Sequence, residues 1–180
     1  LERIQQAQDM GIQTVYQDLA LAPDLNVPCN IFLGREIIKQ SFFGKLFNIL
    51  DMKQMEKISR EHLAELGIGL KSMTVPVKSL SGGERQALAV AKAVAWCESV
   101  LIMDEPTAAL GARQQALVYS TMRAAADKDL GVIVISHDIP KMLEVSDRIY
   151  IMRQGEVIAN LVSRETNLQT VLSLMLTGKA

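Results

Sequence analysis

The hydrophobic pattern of the chain predicts strands separated by helical sequence. Segment 11–16 is typical of a strand, and the short apolar runs at 100–103 and 131–135 are typical of buried parallel strands. Segment 84–96, which lies before the second strand, is rich in Ala, Leu and Val and favours a helix. This alternation predicts an α/β fold.

Other segments complete the pattern. Apolar residues recur along one side of a predicted helix at 51–66, and Ala-rich sequence predicts another helix within 111–129. Alternating residues at 147–152 and 156–161 predict a β-hairpin. The last predicted element is an amphipathic helix at 163–176.

Residues 41–50 carry three of the four phenylalanines of the chain. Together with Leu46, Ile49 and Leu50, their spacing predicts an amphipathic helix. Two interpretations of its apolar face are open. The face either packs in the core of the protein or forms a docking surface for a partner helix.

Composition and charge narrow the functional classes. The chain has 180 residues, 49% of them hydrophobic, which is enough for one domain with a core. Its net charge of −1 gives no bulk attraction to nucleic acid or to an anionic membrane, although a local patch is compatible with it. Cys29 and Cys97 predict neither a disulfide framework nor a zinc site. No apolar run approaches the roughly 18 residues of a membrane-spanning helix.

A possible anion site lies at 80–86, which reads Leu-Ser-Gly-Gly-Glu-Arg-Gln. Ser81 stands where a helix N-cap belongs, and the first turn of a helix carries unpaired N–H groups and partial positive charge. Gly82 and Gly83 have no Cβ, so a phosphate can approach their backbone. An ordinary serine-capped helix would explain a bare Ser-Gly-Gly. The whole string, followed at helix length by Asp-Glu, favours a phosphate site.

The apolar run at 100–103 ends in two carboxylates, Asp104 and Glu105. An Asp at the carboxyl edge of a parallel sheet can hold Mg²⁺, usually through water. A Glu beside it can polarise the water that attacks a γ-phosphate. The alternative is an acid-rich helix N-terminus, because Pro106 and Thr107 begin a new segment.

These two strings resemble the signature motif and the Walker B strand of ATP-binding cassette (ABC) ATPases. Two further landmarks occur in order, because Gln17 resembles the Q-loop glutamine and His137 the switch histidine. The resemblance implies ATP and Mg²⁺ as cofactors. It implies that Glu105 activates water and that His137 contacts the γ-phosphate. The other implied contacts are Gln17, Ser81, Gly82, Gly83 and Gln86 for the nucleotide, and Asp104 and Gln17 for the metal.

The strings 17–21, 30–36 and 106–111 are similar to ATPase subunits of bacterial sugar importers of the ribose, xylose and fructose type. This resemblance implies a peripheral subunit on the cytoplasmic face of the inner membrane that couples ATP hydrolysis to sugar uptake. The implied partners are a second ATPase domain, as a homodimer or a paired cassette, integral membrane permease subunits and a periplasmic sugar-binding protein. Nucleic acid is not among them.

The implied fold is a P-loop NTPase-like ABC ATPase domain with an inserted α-helical subdomain. The end of the first part of the core, with the Q-loop, is expected at 1–25. The helical subdomain with the signature motif is expected at 26–97, and the second part of the core at 98–180.

Two departures from the family pattern stand out. Gly111 stands where the D-loop usually has Asp, so any contact made by that carboxylate is absent. No Gly-x-x-x-x-Gly-Lys-[Ser/Thr] string occurs, so the Walker A loop and the first part of the core are expected to precede Leu1 in a longer parent protein. We therefore expect the chain alone to bind ATP weakly or not at all, to be inactive as an ATPase and to expose apolar surface.

Two other functions are compatible with the same motifs. A soluble ABC-type ATPase of translation or DNA repair would need no membrane partner, but the chain has no long coiled coil, no zinc hook and little basic excess. A non-catalytic cassette module without Walker A would supply only the signature residues Ser81, Gly82 and Gly83 to the ATP of another subunit.

Overall fold

The computed structural model describes residues 4–108 and 110–178. These residues belong to two compact units, one that ends at Ile135 and one that begins at Ser136. The strands are β1 (Ile12–Val15), β2 (Val100–Asp104), β3 (Gly131–Ile135), β4 (Arg148–Arg153) and β5 (Glu156–Val162). The helices are α1 (Ile4–Asp9), α2 (Val27–Ile31), α3 (Phe42–Leu46), α4 (Met52–Glu65), α5 (Gly82–Ala95), α6 (Ala112–Ala126), α7 (Ile139–Val145) and α8 (Leu168–Thr177).

The mixture of helices and parallel strands confirms the α/β prediction. The domain ranges 1–25, 26–97 and 98–180 stay a prediction. Residues 1–3, Ala109 and residues 179–180, which belong to those ranges, lie outside the described residues, and so does the Ala109 position of the string 106–111.

The sheet of the first unit consists of three parallel strands in the order β1–β2–β3. Val15 pairs with Met103, and Asp104 pairs with Ile135, so the carboxyl ends of all three strands lie at one edge. Parallel α/β sheets bind their ligands at this edge. The three strands lie where the sequence predicts them, with small differences in their bounds.

The two faces of this sheet are covered unequally. Leu101 and Met103 of β2 are fully buried, whereas Ile133 and Ile135 of β3 are more than half exposed. Successive residues of a strand point to opposite faces, and Ile133 is the register partner of Ile102. The prediction that 131–135 is a buried strand is therefore wrong for one face. An apolar run looks the same whether one face or both are covered.

Helix α5 is the centre of the first unit. Its Leu88 and Val90 are fully buried, and the helix contacts α2, α4, α6 and β1. Helix α4 buries Met55 and Leu63 on the side that the sequence predicts. Gly67 follows α4 with a φ of +69°, the left-handed conformation that commonly ends helices.

The phenylalanine-rich segment 41–50 is not the long helix that its spacing predicts. The helix α3 has only five residues, and Asn48 then turns the chain with a φ of +50°. Phe42, Phe43 and Phe47 are all exposed, so the interpretation as core packing is wrong. The interpretation as a docking surface stays a prediction.

The second unit is built on the predicted hairpin. Strands β4 and β5 are antiparallel, and Gln154 and Gly155 form the turn with φ values of +51° and +84°. Helix α8 begins at Leu168, later than predicted, because Asn167 caps it by accepting the N–H of Thr170 at 3.0 Å. Residues 163–165, predicted as helix α8, form a short 3₁₀ turn instead.

No helix within residues 4–108 and 110–178 is both long enough and apolar enough to cross a membrane. Cys29 and Cys97 are free thiols, each partly buried. Burial raises the pKa of both thiols, so they are expected to be protonated at neutral pH.

Candidate nucleotide site

Strand β2 delivers two carboxylates to the carboxyl edge of the sheet. Asp104 is its last residue. The N–H of Glu105 donates to the C=O of Ile135 at 2.9 Å, so the pairing with β3 continues one residue beyond the strand. Residues 106–108 form a turn and α6 begins only at Ala112, so the alternative of a helix N-terminus directly after Glu105 is wrong.

The backbone of Glu105 is strained. Its φ is +47°, in the left-handed region that residues other than glycine rarely adopt. Such conformations cost about 1–3 kcal/mol and cluster at functional sites. The strain therefore supports a functional role for the side chain at this position.

Strand β1 brings Gln17 to the same edge. Val15, the last residue of β1, pairs with Met103, the residue before Asp104. Neighbouring strands are about 4.8 Å apart. Gln17 follows Tyr16 and is exposed. Gln17 and Asp104 would therefore be the residues that hold a hydrated metal ion at this edge.

This pair fits Mg²⁺ that arrives with phosphate. The described part of the chain contains no cluster of three His, Cys, Asp or Glu side chains able to hold a metal by themselves. Mg²⁺ in phosphate-transfer sites usually takes only one or two carboxylates from the protein and completes its shell with water and phosphate oxygens. Asp104 with Gln17 is an oxygen donor set of that kind.

Ser81 caps α5 as the sequence predicts. Its hydroxyl oxygen accepts the N–H of Glu84 at 3.3 Å, and its own N–H donates to the Glu84 carboxylate at 2.8 Å. Hydrogen bonds from the backbone and side chain of Ser81 to the carboxylate lower the pKa of Glu84. A serine-capped helix accounts for this local structure without a ligand. Ser81 is nevertheless exposed and accessible to a second chain.

The two glycines after Ser81 differ in their surroundings. A Cβ on Gly83 would lie 2.5 Å from the side chain of Gln114 in α6, so glycine is needed there for helix packing. A Cβ on Gly82 would meet only Leu110, at 3.8 Å, which is an ordinary contact. Packing among the described residues therefore does not explain glycine at 82, whereas a close approach by a ligand would.

Two other predicted site residues have less support from the structure. Gln86 is buried in α5, and its amide nitrogen has no hydrogen-bond partner among the described residues. His137 is exposed, belongs to the second unit and lies two residues after the end of β3 in the chain. The roles of Gln86 and His137 stay predictions from the resemblance.

Gly111, the departure from the family pattern, is the N-cap of α6. Its N–H donates to the side-chain oxygen of Gln114 at 3.1 Å, and its φ is −71°. A Cβ there would meet only that oxygen, at 3.6 Å. The backbone therefore has room for Asp at this position, and nothing in the structure explains the glycine.

A cavity of about 360 Å³ beside the segment after Gln17 was not predicted from the sequence. Arg35, Lys92 and Trp96 are among its lining residues. The Lys92 ammonium donates to the C=O of Ala20 at 3.1 Å, and burial lowers the pKa of Lys92. The guanidinium of Arg35 lies 4.6 Å from the centre of the Trp96 ring. A lysine within the apolar run of α5 was the one signal in the sequence for this cavity.

The fold is that of an ATPase cassette of the P-loop NTPase class. The solved structure of the ATP-binding cassette MJ0796, a dimeric post-hydrolysis state bound to ADP and Pi, has a similar fold with a TM-score of 0.70. The alignment covers 92% of this chain and 69% of that one at 22% identity. The predicted fold class is confirmed.

The sequence matches the ABC transporter family over residues 2–108, and the chain belongs to that family. It is 41% identical to the fructose import ATP-binding protein FrcA of Rhizobium meliloti and 41% identical to the xylose/arabinose import ATP-binding protein XylG of Sulfolobus acidocaldarius. It is 34% identical to the ribose import ATP-binding protein RbsA of Bacillus cereus. The alignments cover 97%, 94% and 94% of this chain and 67%, 64% and 33% of those proteins, respectively.

Proposed function

We propose that the protein containing this chain is the ATP-binding and ATP-hydrolysing subunit of an ABC importer for a sugar. The observation that carries the catalytic part is the Asp104–Glu105 pair at the carboxyl edge of a parallel sheet, with a strained backbone at Glu105. The import function rests on family membership and on relatives named for fructose, xylose/arabinose and ribose import.

Each predicted catalytic or metal-binding residue has a distinct role in this proposal. Asp104 and Gln17 hold Mg²⁺, which when bound neutralises charge on the phosphates. Glu105 orients the attacking water and accepts its proton. His137 donates a hydrogen bond to the γ-phosphate.

The signature turn acts on a second copy or a paired cassette. Ser81 is exposed at the start of α5, where backbone N–H groups and the helix dipole favour an anion. Gly82 and Gly83 of one subunit face the phosphates that the other subunit holds. Two subunits then enclose the nucleotide between them, and hydrolysis opens the pair. Gln86 supports this turn from the interior of α5.

The membrane subunits are proposed to contact the cavity that follows Gln17. Lys92 and Arg35 place two cations at this cavity. An acidic side chain of the permease would satisfy both. Contact there would couple movement of the membrane subunits to the segment that carries Gln17, from the cytoplasmic face of the inner membrane.

Sugar selection is proposed to lie in the permease and the periplasmic sugar-binding protein. The chain is equally similar, at 41% identity, to a fructose and to a xylose/arabinose import protein. Equal similarity to proteins named for different sugars supports the proposal that this subunit does not select the sugar.

The test compares two neighbouring glycine variants in the natural protein that contains these residues. Gly82→Ala has room for its methyl group and loses the backbone freedom of glycine in the unfolded chain, so its melting temperature should be no lower than that of the wild type. Its MgATP hydrolysis should fall roughly 10–100-fold through lost hydrogen bonds to phosphate. Gly83→Ala should instead lower the melting temperature, because Gln114 must move. Unchanged hydrolysis by a folded Gly82→Ala variant would contradict the proposed phosphate contact.

A further inference from the structure

Residues 37–51, here called the aromatic loop, form a closed projection with a fixed backbone. At its neck, the N–H of Asp51 donates to the C=O of Ile37 at 2.7 Å, and the N–H of Lys39 donates to the C=O of Ile49 at 2.9 Å. At its tip, Ser41 caps α3 by accepting the N–H of Gly44 at 3.1 Å. The loop is therefore held in shape by its own hydrogen bonds.

Gly44 packs the tip of the aromatic loop against its neck. It is buried, and a Cβ there would lie 2.4 Å from the backbone oxygen of Lys39. The glycine side of α3 consequently faces inward. The bulky side chains of the helix point away from the neck into solvent.

The outward side of the loop is a contiguous apolar surface. Phe42, Phe43, Leu46 and Phe47 are 76%, 65%, 61% and 66% exposed, and Ile49 and Leu50 beside them are also exposed. The rings of Phe42 and Phe43 meet edge to face with centroids 5.6 Å apart, and Phe43 stacks on Phe47 at 6.5 Å. An exposed patch of this kind marks an interaction site.

The tip of the loop carries only positive charge, although the whole chain carries −1. Lys39 and Lys45 are exposed, and no Asp or Glu occurs between 37 and 50. The nearest carboxylates in the sequence lie at the ends of the loop and accept backbone hydrogen bonds. Glu36 accepts the N–H of Gly34 at 2.9 Å, and Asp51 accepts the N–H of Gln54 at 3.1 Å. A binding partner complementary to the apolar surface of the aromatic loop is therefore an apolar layer bordered by anions.

The shape of the surface favours a lipid bilayer over a partner helix as its binding partner. An amphipathic helix docks into a groove, whereas four side chains of this loop each project with more than 60% of their area exposed. Projecting aromatic and aliphatic side chains next to lysines are suited to the headgroup region of an anionic bilayer. We propose that the aromatic loop inserts Phe42, Phe43 and Phe47 into an anionic phospholipid surface, with Lys39 and Lys45 at the headgroups. This contact is independent of the nucleotide chemistry proposed above.

The first experiment measures flotation of the purified natural protein that contains these residues with protein-free vesicles. Vesicles of phosphatidylcholine with phosphatidylglycerol should bind the protein more tightly than vesicles of phosphatidylcholine alone, and salt should weaken the binding. The double variant Lys39→Gln, Lys45→Gln should lose affinity for the anionic vesicles by roughly 25-fold, at about fivefold for each lysine. The triple variant F42S/F43S/F47S should lose at least roughly tenfold for each ring, with an unchanged circular dichroism spectrum because the rings are exposed.

A matched control separates specific insertion from general stickiness. The double variant Ile133→Thr, Ile135→Thr removes exposed apolar side chains from β3 and should leave vesicle binding unchanged. Phe47→Trp should show a blue-shifted emission and quenching by brominated lipids. Tyr150→Trp, at an exposed position of β4, should show neither.

Three results would overturn the proposal. In the first, F42S/F43S/F47S binds anionic vesicles as tightly as the wild type. In the second, the β3 variant loses binding while the aromatic loop variants keep it. In the third, the protein binds only vesicles that contain membrane proteins, which would assign the aromatic loop to a protein partner instead.

Discussion

The strained backbone at Glu105 gives a prediction whose sign can be worked out from the structure. The φ of residue 105 is +47°. Alanine adopts this left-handed conformation at a cost of about 1–2 kcal/mol, whereas glycine adopts it without that cost. Glycine loses about 0.5–1 kcal/mol through the greater freedom of its unfolded chain. Glu105→Gly should therefore be more stable than Glu105→Ala by about 0.5–1 kcal/mol. Comparing these two variants cancels whatever contacts the glutamate side chain makes.

Ala108 is the matched control in the same turn. It is exposed and its φ is not positive, so Ala108→Gly gains no relief and should lose about 0.4–1 kcal/mol. Differential scanning calorimetry measures both comparisons, at roughly 2–4 °C per kcal/mol for a chain of this size. The Ala-to-Gly change should thus raise the melting temperature at 105 and lower it at 108. If glycine is the less stable residue at both positions, the backbone of Glu105 is not strained and this support for its functional role fails.

Three further predictions follow from the same structure. The 180-residue chain should show no submicromolar ATP binding in calorimetry, because it has no Gly-x-x-x-x-Gly-Lys-[Ser/Thr] string. Each charge-assisted hydrogen bond to phosphate that is missing for this reason is worth about 1.5–3 kcal/mol of binding free energy. Submicromolar binding would refute this prediction. Gly111→Asp should stabilise α6 by a few tenths of a kcal/mol in urea unfolding, since Asp is the better N-cap, and a loss of stability would contradict it. Because Ser81 lowers the pKa of Glu84, the capping box stabilises the fold at pH values above the ordinary carboxyl pKa of 4.5, and this contribution is lost as the pH falls through the lowered pKa. In Glu84→Gln, the free energy of unfolding should therefore depend less on pH in that acid range. An unchanged pH dependence there would contradict the prediction.

Part of this fold could be predicted from the sequence because it depends on local interactions. Ser81 with Glu84 three residues later is a capping box, and the structure has both of its hydrogen bonds. The run that ends in Asp104 is a parallel strand because its apolar residues are followed by polar ones where the strand leaves the sheet. Each of these features depends on a few neighbouring residues.

Other features depend on contacts between residues distant in the sequence, and these were predicted wrongly or not at all. The phenylalanines at 42, 43 and 47 have helical spacing, but no element among the described residues covers them. The run that ends in Ile135 reads as buried, although nothing in the described chain covers one face of β3. Gly82 and Gly83 are equivalent in sequence, and only the position of Gln114 in α6 distinguishes them.

The central claim is that the carboxylate at 105 drives ATP hydrolysis at the edge of this sheet. Its most direct test is steady-state MgATP hydrolysis by the natural protein that contains these residues, with Glu105→Gln beside Glu98→Gln as the control. Glu98 is exposed at the opposite end of β2, just before Val100. Glu105→Gln should lower turnover by roughly 10²–10⁴-fold, and Glu98→Gln should leave it unchanged. Full turnover by a folded Glu105→Gln variant would contradict the claim.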